Sequence, residues 1–479
     1  MTTGFPGTMD FTGFNAPSRV ECDVFDLEID GTLPEEINGS WYRLTPDAQF
    51  PPLDRNDTLI SGDGMISRFR FNDGHVDFRS RYVMTERLKD DRAARRSLHG
   101  RYRNPFTDDP SVRGHRRGAA NTTPVWHGGR LLCLKEDSRA MEVDPHTLET
   151  VGEWNYGGRL KSQTMTAHPR LDVETGELYF FGYEAGGLAT RDVAFCVADR
   201  NGELVREEWF QVPYVALMHD FLVTKEHVIF PVFPTTADLA RIQAGGAHWV
   251  WEPDKGTFIG IMPRAGSVND MRWFRGEARM SFHCMNGFSD GSKVHMDHCV
   301  SGVNVFPFIQ QASGIHVLPH ESFGGLVRWT FDLSRPGEEY EEVILGPPGD
   351  MPRIADRDHM RNCAIAYYER FDPANGPPLL AGPVGAGFNT VSRIELGPGK
   401  LRDYHQPGAT FEEAIHVPSR QPGHEGYLVL AAELHGENLS EVLVLQAERP
   451  DSGPLCRVKL PLRLRPQVHG NWVPAVVTA

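Results

Sequence analysis

The stretch Arg465-Pro-Gln-Val-His-Gly-Asn-Trp-Val-Pro474 lies near the C-terminus, where a protein is normally least constrained, yet it carries a histidine, a glycine and a tryptophan close together. Three other histidines stand in comparably compact surroundings far upstream, in Thr166-Ala-His-Pro, Leu217-Met-His-Asp-Phe and Ser281-Phe-His-Cys. No single helix or hairpin spans such separations. The pattern favours a fold whose repeated units each deliver one side chain to a common axis, with the tail closing the ring. It predicts that one metal ion is bound by the four histidines His168, His219, His283 and His469.

The composition indicates a globular protein and restricts the class of partner that it can bind. The chain has 479 residues, of which 40 % are apolar and 24 % charged, an ordinary balance for a globular protein with a sizeable core. A net charge of −15 disfavours nucleic acid as a partner. The basic run over residues 92–117 is interrupted by Asp108, Asp109 and Pro110, and we interpret it as a solvated loop.

The cysteines and the apolar runs predict a soluble, cytoplasmic protein. The seven cysteines are scattered singly with no Cys-x-x-Cys pair, and the N-terminus has no secretory pattern, which favours reduced thiols. No apolar run approaches the ~18 residues that a membrane-spanning helix requires. We therefore expect no stable membrane insertion.

The alternation of short apolar–polar segments with turn residues predicts an all-β fold. Short alternating segments recur between 48 glycines and 35 prolines, with hairpin signals at Asn72-Asp-Gly74 and Asn201-Gly202. Helical patterns are few, over residues 86–98 and 236–244. A closed β-propeller is the most economical all-β domain of this length, because radial repetition removes long exposed edges. We expect one domain over 1–479, with an N-terminal arm over 1–30 that contains a strand over 24–30, and a tail over 465–479 that supplies a metal ligand.

The residue contexts alone leave the ligand set open. His227, His295 and His298 compete with the four histidines named above. A ligating imidazole usually donates its second N–H to a carboxylate, and Glu136, Asp350 and Glu413 are candidates because their neighbours are apolar or proline. Ligation by imidazoles without thiolates argues against a structural zinc site and leaves iron, copper, nickel or a catalytic zinc.

Several motifs, in order and nearly end to end, resemble the carotenoid cleavage oxygenases. They are Gly39-Ser-Trp-Tyr-Arg-Leu44, Gly62-Asp-Gly-Met-Ile66, Lys135-Glu136, Ala167-His-Pro169, Met218-His-Asp-Phe221, Phe282-His283, Met351-Pro-Arg353, Val417-Pro418, Leu460-Pro-Leu-Arg463 and His469-Gly470. The resemblance implies a seven-bladed propeller, capped by loops and short helices over an axial Fe(II) that four histidines bind. Carried over by position, the ligands are His168, His219, His283 and His469, and the carboxylates behind them are Glu136, Asp350 and Glu413. The family more often has glutamate at position 350, and the shorter aspartate leaves open whether a water bridges it to its histidine.

Within the family the sequence looks most like bacterial lignostilbene dioxygenases and isoeugenol oxygenases, above all over Ser97 to Val112. In that subgroup a tyrosine and a lysine at the positions of Tyr102 and Lys135 bind the substrate's 4-hydroxyl. The resemblance therefore implies cleavage, by O2, of an alkene double bond conjugated to a 4-hydroxyphenyl ring, with aromatic aldehydes as products. Apolar character alone suggests Ile60, Phe306, Phe308 and Leu318 as pocket residues.

Three alternatives stay open. Cleavage of an apocarotenoid by the same centre needs a long apolar tunnel, to which Val228-Ile-Phe-Pro-Val-Phe-Pro234 could contribute. A non-enzymatic propeller scaffold with a structural metal would not consume O2. An extracellular receptor propeller is opposed by the unpaired cysteines. A homodimer, and one or two oxygen atoms entering the products, are both compatible with the sequence.

Overall fold

The computed structural model describes residues 4–312 and 324–475, and most of the regular secondary structure in these residues is β-strand. The first half forms the strands β1 (Cys22–Val24), β2 (Ile29–Gly31), β3 (Gly39–Pro46), β4 (Gly64–Asn72), β5 (His75–Tyr82), β6 (Thr123–His127), β7 (Arg130–Leu134), β8 (Ala140–Val143), β9 (Thr150–Trp154), β10 (Arg170–Leu171), β11 (Leu178–Tyr183), β12 (Asp192–Ala198), β13 (Leu204–Gln211), β14 (Leu222–Val223), β15 (His227–Val232), β16 (Thr235–Thr236) and β17 (Val250–Trp251).

The second half continues with β18 (Thr257–Pro263), β19 (Arg272–Gly276), β20 (Cys284–Asp290), β21 (Lys293–Val300), β22 (Gln310–Gln311), β23 (Gly325–Asp332), β24 (Glu341–Pro348), β25 (Asp350–Arg353), β26 (Ile365–Arg370), β27 (Thr390–Glu395), β28 (Lys400–Tyr404), β29 (Ala409–Phe411), β30 (Ile415–Val417), β31 (Tyr427–Leu434), β32 (Leu439–Gln446), β33 (Pro454–Lys459) and β34 (His469–Pro474). Two α-helices, α1 (Glu86–Ala94) and α2 (Leu239–Gln243), and short 3-10 turns lie in the connections. No helix in these two described ranges is long and apolar enough to pass through a membrane.

Seven sheets of four to six strands form the blades of a propeller, which confirms the predicted fold class. In sequence order, blade 1 is β1-β5-β4-β3-β34, blade 2 is β6 to β9, blade 3 is β10 to β13, blade 4 is β14-β15-β18-β19, blade 5 is β20-β21-β23-β24, blade 6 is β25 to β28, and blade 7 is β2-β33-β32-β31-β29 with β30 also on β31. An eighth, small sheet of β16, β17 and β22 was not predicted and lies outside this series.

Segments near both termini close the ring. The C-terminal strand β34 pairs antiparallel with β3, so that His469 lies opposite Leu44 in blade 1. The N-terminal strand β2 pairs with β33 in blade 7. The ring is therefore closed at two neighbouring blades, each of which contains strands from both ends of the sequence. Gly470 is required at this seam, because a Cβ there would lie 2.4 Å from the indole nitrogen of Trp41.

Alternating side chains explain how the blades pack. In β11, Phe180 faces a cluster shared with blade 2, and the next residue, Phe181, faces a cluster shared with blade 4. Successive side chains of a strand point to opposite faces of its sheet, so a strand with a blade on each side is apolar at nearly every position. The same arrangement gives one hydrophobic cluster between each pair of neighbouring blades.

Three boundaries differ from the sequence prediction. The strand predicted over 24–30 is wrong: β1 ends at Val24, and Asp26 has a φ of 52°, which breaks the extended backbone before β2. Helix α1 ends earlier than predicted because Arg95 adopts a left-handed conformation with a φ of 53°. Helix α2 starts later, since Thr236 belongs to β16 and the carboxylate of Asp238 caps the helix at the backbone N–H of Arg241.

The basic run is a solvated loop only in part: Arg95, Arg113 and Arg116 are exposed, but the middle of the segment is buried, and there the interpretation is wrong. His99, Arg103, Asn104 and Asp108 are all buried. Carboxylate and carbonyl oxygens inside the fold accept hydrogen bonds from the polar side chains of this segment. For example, the side-chain amide of Asn104 donates to the carbonyl oxygens of Ile242 and Gly246. The segment is part of the cap over the propeller.

Candidate metal centre and its cavity

Four imidazoles meet where the innermost strands of four blades begin. Each predicted histidine precedes or starts such a strand: His168 before β10, His219 before β14, His283 before β20 and His469 at the start of β34. The structure therefore brings together residues from blades 1, 3, 4 and 5. One ring nitrogen from each histidine lies within 4.8 Å of those of the other three.

The distances within the cluster are short. The Nε2 atoms of His168 and His219 lie 2.8 Å apart. Ring centroids are separated by 4.4 Å for His168 and His219, 4.5 Å for His168 and His469, and 4.8 Å for His283 and His469. The Nε2 atoms of His283 and His469 are buried and have no hydrogen-bond partner in the described part of the protein.

Three carboxylates come from the remaining blades. The Nδ1 atom of His219 lies 2.9 Å from Glu136. That of His283 lies 2.9 Å from Asp350, and that of His469 lies 3.1 Å from Glu413. Glu136 follows β7 in blade 2, Asp350 begins β25 in blade 6, and Glu413 precedes β30 in blade 7, so every blade contributes either an imidazole or a carboxylate.

This arrangement fits a metal ion. Because an ionised carboxylate only accepts hydrogen bonds, His219, His283 and His469 donate from Nδ1, which leaves Nε2 as the nitrogen of each ring that can bind a metal. Lone pairs that converge in a buried space repel each other unless a cation lies among them. Burial and the neighbouring imidazoles hold the pKa of His168 well below its usual value, and burial lowers the pKa of His469 to about 4. Both rings therefore stay neutral and able to bind a metal at physiological pH.

The carboxylate of Asp350 contacts Nδ1 of His283 directly, although its side chain is shorter than glutamate, so no bridging water is needed. The strand register shifts between Asp350 and Arg353, and the intervening Met351 has a φ of 56°. A bulge of this kind redirects side chains. Although burial lowers the pKa of His283, the Asp350 carboxylate outweighs that effect, so the net shift is upward.

The histidines that competed as ligands have other partners. Nδ1 of His227 lies 3.0 Å from Oγ of Ser289. Nδ1 of His295 lies 2.9 Å from Oγ1 of Thr330, and Nδ1 of His298 lies 3.0 Å from Oγ of Ser281. None of the three is in the four-histidine cluster.

One apolar cavity connects the imidazoles to the two predicted phenol-binding residues. Its lining includes His219 and His283 at one end, Tyr102 and Lys135, and the predicted Ile60, Phe306 and Phe308. Leu318 lies outside the described residues. The lining also contains residues that the sequence analysis did not identify: Leu217, Phe282, Met351, Pro383, Val384, Phe388 and Val468. Of these, Phe282 stacks on the ring of His219 with centroids 3.8 Å apart, and its position directly before His283 was a usable signal.

Lys135 and Tyr102 form one polar region of this mostly apolar cavity, whose lining also includes Thr122, Glu136 and Asp350. Nζ of Lys135 lies 5.2 Å from the centroid of the Tyr102 ring. Lys135 is only 3 % exposed, and within the described ranges no carboxylate lies within ion-pair distance of its ammonium group. Burial lowers the pKa of Lys135 and raises the pKa of Tyr102 well above its usual value. The tyrosine is therefore a hydroxyl donor, and the lysine has no direct ion-pair partner in the described residues, although the charges of Asp137 and Glu136 act on it from a greater distance.

Comparison with known proteins assigns the protein to a family. The profile of the family described as retinal pigment epithelial membrane protein, the carotenoid oxygenases, matches residues 15–474. The chain belongs to this family. Members of it are metal-dependent, in agreement with the histidine cluster.

Relatives of this carotenoid oxygenase match it nearly end to end. An isoeugenol monooxygenase of Pseudomonas nitroreducens is 40 % identical over 96 % of both proteins. A lignostilbene-alpha,beta-dioxygenase isozyme III of Sphingomonas paucimobilis is 38 % identical over 98 % of both. The crystal structure of a lignostilbene dioxygenase of Pseudomonas brassicacearum superimposes with a TM-score of 0.94 at 40 % identity, covering 99 % of this protein and 100 % of that one.

Removing the charge behind one imidazole is expected to weaken metal binding without emptying the site. Glu413 accepts from Nδ1 of His469, from the backbone N–H of Gly470 at 3.0 Å and from Arg353 at 2.9 Å. Glu413→Gln retains the shape but makes the His469 ring less basic, so affinity for Fe(II) should fall about 10- to 100-fold, as for other carboxylates behind metal ligands. Competition with a chromogenic chelator measures the affinity for Fe(II).

The matched control is Glu425→Gln, which removes a carboxylate that pairs with Arg393 at 2.8 Å outside this cluster. That variant should bind Fe(II) like the wild type. An affinity of Glu413→Gln within a factor of about two of the control would contradict a role for Glu413 in tuning the ligand.

Proposed function

We propose that this carotenoid oxygenase uses Fe(II), held by His168, His219, His283 and His469, to cleave with O2 the alkene double bond of 4-hydroxyphenyl alkenes. Hydroxystilbenes and isoeugenol-type propenylphenols are the substrates, and aromatic aldehydes are products. Support comes from the named activities of the relatives, which cover the whole protein at up to 40 % identity. Support for the metal comes from the converging Nε2 lone pairs and the carboxylates behind them.

One observation carries the choice of a phenol: the buried ammonium of Lys135, beside Tyr102, lines the same cavity as His219 and His283. A buried charge without a partner is costly. A phenolate oxygen from the substrate supplies a direct ion-pair contact, which the more distant Asp137 and Glu136 do not make, and the Tyr102 hydroxyl donates a hydrogen bond to the same atom. A ring anchored there directs its alkene substituent along the apolar lining.

The residues of the protein then prepare the alkene for oxidation. Lys135 and Tyr102 hold the 4-oxygen as the phenolate, which donates electron density through the ring into the conjugated double bond. The rings of Phe282, Phe306 and Phe308 surround the substrate with apolar surface and exclude water. The Fe(II) supplies the binding and activation of O2 that carbon–carbon double-bond cleavage requires.

The organisation of the sequence supports further parts of this proposal. We propose that residues 1–479 act as one domain, with the arm over 1–30 and the tail over 465–479 closing the propeller and His469 supplied by that tail. The seven cysteines are free, and six of them are buried, which fits a reducing compartment such as the cytoplasm. A small aromatic alkene is the partner; a homodimer is to be tested by light scattering.

The test is O2 uptake by Fe(II)-loaded protein with isoeugenol and resveratrol, each beside the ether in which the 4-hydroxyl is methylated. Cleavage of the phenols, with vanillin or a hydroxybenzaldehyde as product and the ethers inert, is the expected result. Equal rates on phenols and ethers would refute phenolate binding by Lys135 and Tyr102. With iron bound and no turnover of either, apocarotenoids become the substrates to assay, and no O2 uptake with those would leave the scaffold hypothesis.

A further inference from the structure

Behind Tyr102 lies a closed ring of polar contacts among three buried side chains, Arg103, Glu184 and His248. The guanidinium of Arg103 donates to a carboxylate oxygen of Glu184. The other oxygen of Glu184 lies 3.1 Å from Nε2 of His248. Nδ1 of His248, in turn, lies 3.0 Å from the backbone carbonyl oxygen of Arg103. Both partners of the His248 imidazole only accept hydrogen bonds, so a neutral His248 donates to one of them at a time. The contacts thus lead from the guanidinium of Arg103 back to its own backbone.

The ring ties together three distant parts of the sequence. Arg103 belongs to the cap segment, Glu184 follows β11 of blade 3, and His248 precedes β17 of the small additional sheet. The three side chains are 4 %, 3 % and 0 % exposed. The guanidinium also donates to the Tyr183 hydroxyl at 2.6 Å and lies 5.1 Å from the centroid of the Trp249 ring.

Two members of the ring have strained backbones. Arg103 has a φ of 53° and Glu184 a φ of 49°, in the left-handed region that non-glycine residues rarely adopt. Such conformations persist where the surroundings over-determine them, and they cluster at sites where a side chain must be held in one orientation. Neither residue lines the cavity that connects Lys135 to the imidazoles, so the strain serves something other than direct contact with a ligand there.

The backbone is fixed on both sides of Tyr102. Its own N–H donates to Asp57 at 2.9 Å, and His248 holds the carbonyl of the next residue. With Arg103 turned into the ring by its left-handed φ, the Tyr102 phenol lines the cavity beside Lys135. The ring therefore acts on Tyr102 by two routes: the peptide backbone that joins Tyr102 to Arg103, and the Arg103 guanidinium, which lies close enough to the phenol to interact with it directly.

We propose that Arg103, Glu184 and His248 are positioning residues that hold the Tyr102 hydroxyl where the 4-hydroxyl of the substrate binds. The inference rests on the proposed recognition of a phenol. It assigns part of the substrate specificity to residues that do not touch the substrate. Loosening the ring should therefore reduce binding of ligands that carry the 4-hydroxyl and leave ligands without it unaffected.

The test is a binding measurement with two ligands that cannot be cleaved, because their propyl substituent has no double bond. They are 4-propylguaiacol and 3-propylanisole, a matched ligand that lacks the 4-hydroxyl. Glu184→Gln keeps the size of the side chain but removes the charge that holds Arg103. Calorimetry on metal-loaded protein should show the dissociation constant of 4-propylguaiacol rising about tenfold, the equivalent of one hydrogen bond. That of 3-propylanisole should stay unchanged.

A double-mutant cycle separates positioning from general loosening. In a Tyr102→Phe background the hydroxyl is gone, so adding Glu184→Gln should cost nothing further. Glu425→Gln, which breaks a partly buried carboxylate–arginine pair elsewhere, should leave both dissociation constants unchanged. If Glu184→Gln does not fold, His248→Gln, which loosens the Arg103 carbonyl instead, is measured in the same cycle and should give the same pattern.

Two results would overturn the inference: equal weakening of both ligands by Glu184→Gln, or a full additional loss in the Tyr102→Phe background. Failure of the proposed function looks different. In that case the wild type would bind both ligands alike and Tyr102→Phe alone would change nothing. If Tyr102→Phe discriminates between the ligands while Glu184→Gln and His248→Gln do not, phenol recognition stands and only the positioning role is lost.

Discussion

His168→Ala is expected to abolish O2-dependent cleavage of isoeugenol and to leave the protein without stoichiometric iron. Loss of a ligand removes several kcal/mol of transition-state stabilisation by the metal, so kcat should fall by about 1000-fold or more. His168 is the most informative of the four to replace: Glu136, Asp350 and Glu413 pair with the other three histidines, so its removal strands no buried carboxylate. Iron content per protein molecule and O2 uptake are the measurements.

The control for His168→Ala is His127→Ala. His127 is buried at the end of β6, its Nε2 lies 3.0 Å from the carbonyl oxygen of Gly176, and it does not belong to the four-histidine cluster. This variant should lower the Tm but keep iron and turnover. Because a metal that binds only the folded state stabilises it, Fe(II) should raise the Tm of the control and not that of His168→Ala. Wild-type iron content together with turnover in His168→Ala would remove this residue from the ligand set.

The all-β fold was predictable because strand periodicity and turn residues are local signals. The segment Asn72-Asp-Gly74 shows why: Asp73 and Gly74 both have positive φ, as the tight hairpin between β4 and β5 requires. Apolar residues at consecutive positions, as at Phe180 and Phe181, followed from burial between two blades. Local periodicity did not give the ends of strands and helices, since the positive φ values at Asp26, after β1, and at Arg95, after α1, have no signal in the apolar pattern.

The candidate metal centre was predictable for a different reason. A histidine that begins an innermost strand stands among small or apolar residues, as His168 and His283 do, and this context is visible without the fold. The sequence could not show whether the Asp350 side chain is long enough to contact His283, because that direct contact depends on the bulge at Met351. Residues of the cavity wall contributed by separate loops, such as Val384 and Phe388, had no signal of their own.

Burial of the segment around Tyr102 was also beyond local reasoning. Its charges resemble those of an exposed loop, yet Arg103 and Asp108 are satisfied by groups distant in sequence or across the loop, such as Glu184 for Arg103 and the backbone N–H of Gly100 for Asp108. Family resemblance identified Tyr102 as a functional residue while the charge pattern placed it on the surface. A functional role for Tyr102 and a charged sequence around it would conflict only if charged segments were always solvated. Here Arg103 and Asp108 are buried, and both have polar partners.

Lys135→Met is expected to remove the preference for free phenols. Methionine fills the space of the lysine stem without its charge, so the bound phenolate loses its counter-ion in a mostly apolar cavity whose lining also includes the carboxylates of Glu136 and Asp350. Breaking a buried charge pair by removing one partner costs about 3 to 4 kcal/mol, which corresponds to a fall of about 100- to 1000-fold in kcat/KM for isoeugenol. Vanillin formation measured by liquid chromatography gives the rates.

The pH dependence of kcat distinguishes loss of the charge from loss of packing in Lys135→Met. A nearby ammonium lowers the pKa of a bound phenol, so the acidic limb of the kcat profile should move to higher pH when Lys135 is removed. In the wild-type profile of kcat/KM, which reports the free enzyme, a basic limb should appear below the usual lysine range, because burial lowers the pKa of Lys135 before substrate binds. Lys225→Met, which removes a lysine paired with Glu174 at 2.6 Å outside the cavity, should change neither limb. A Lys135→Met profile that coincides with the wild type would show that another group carries the counter-charge.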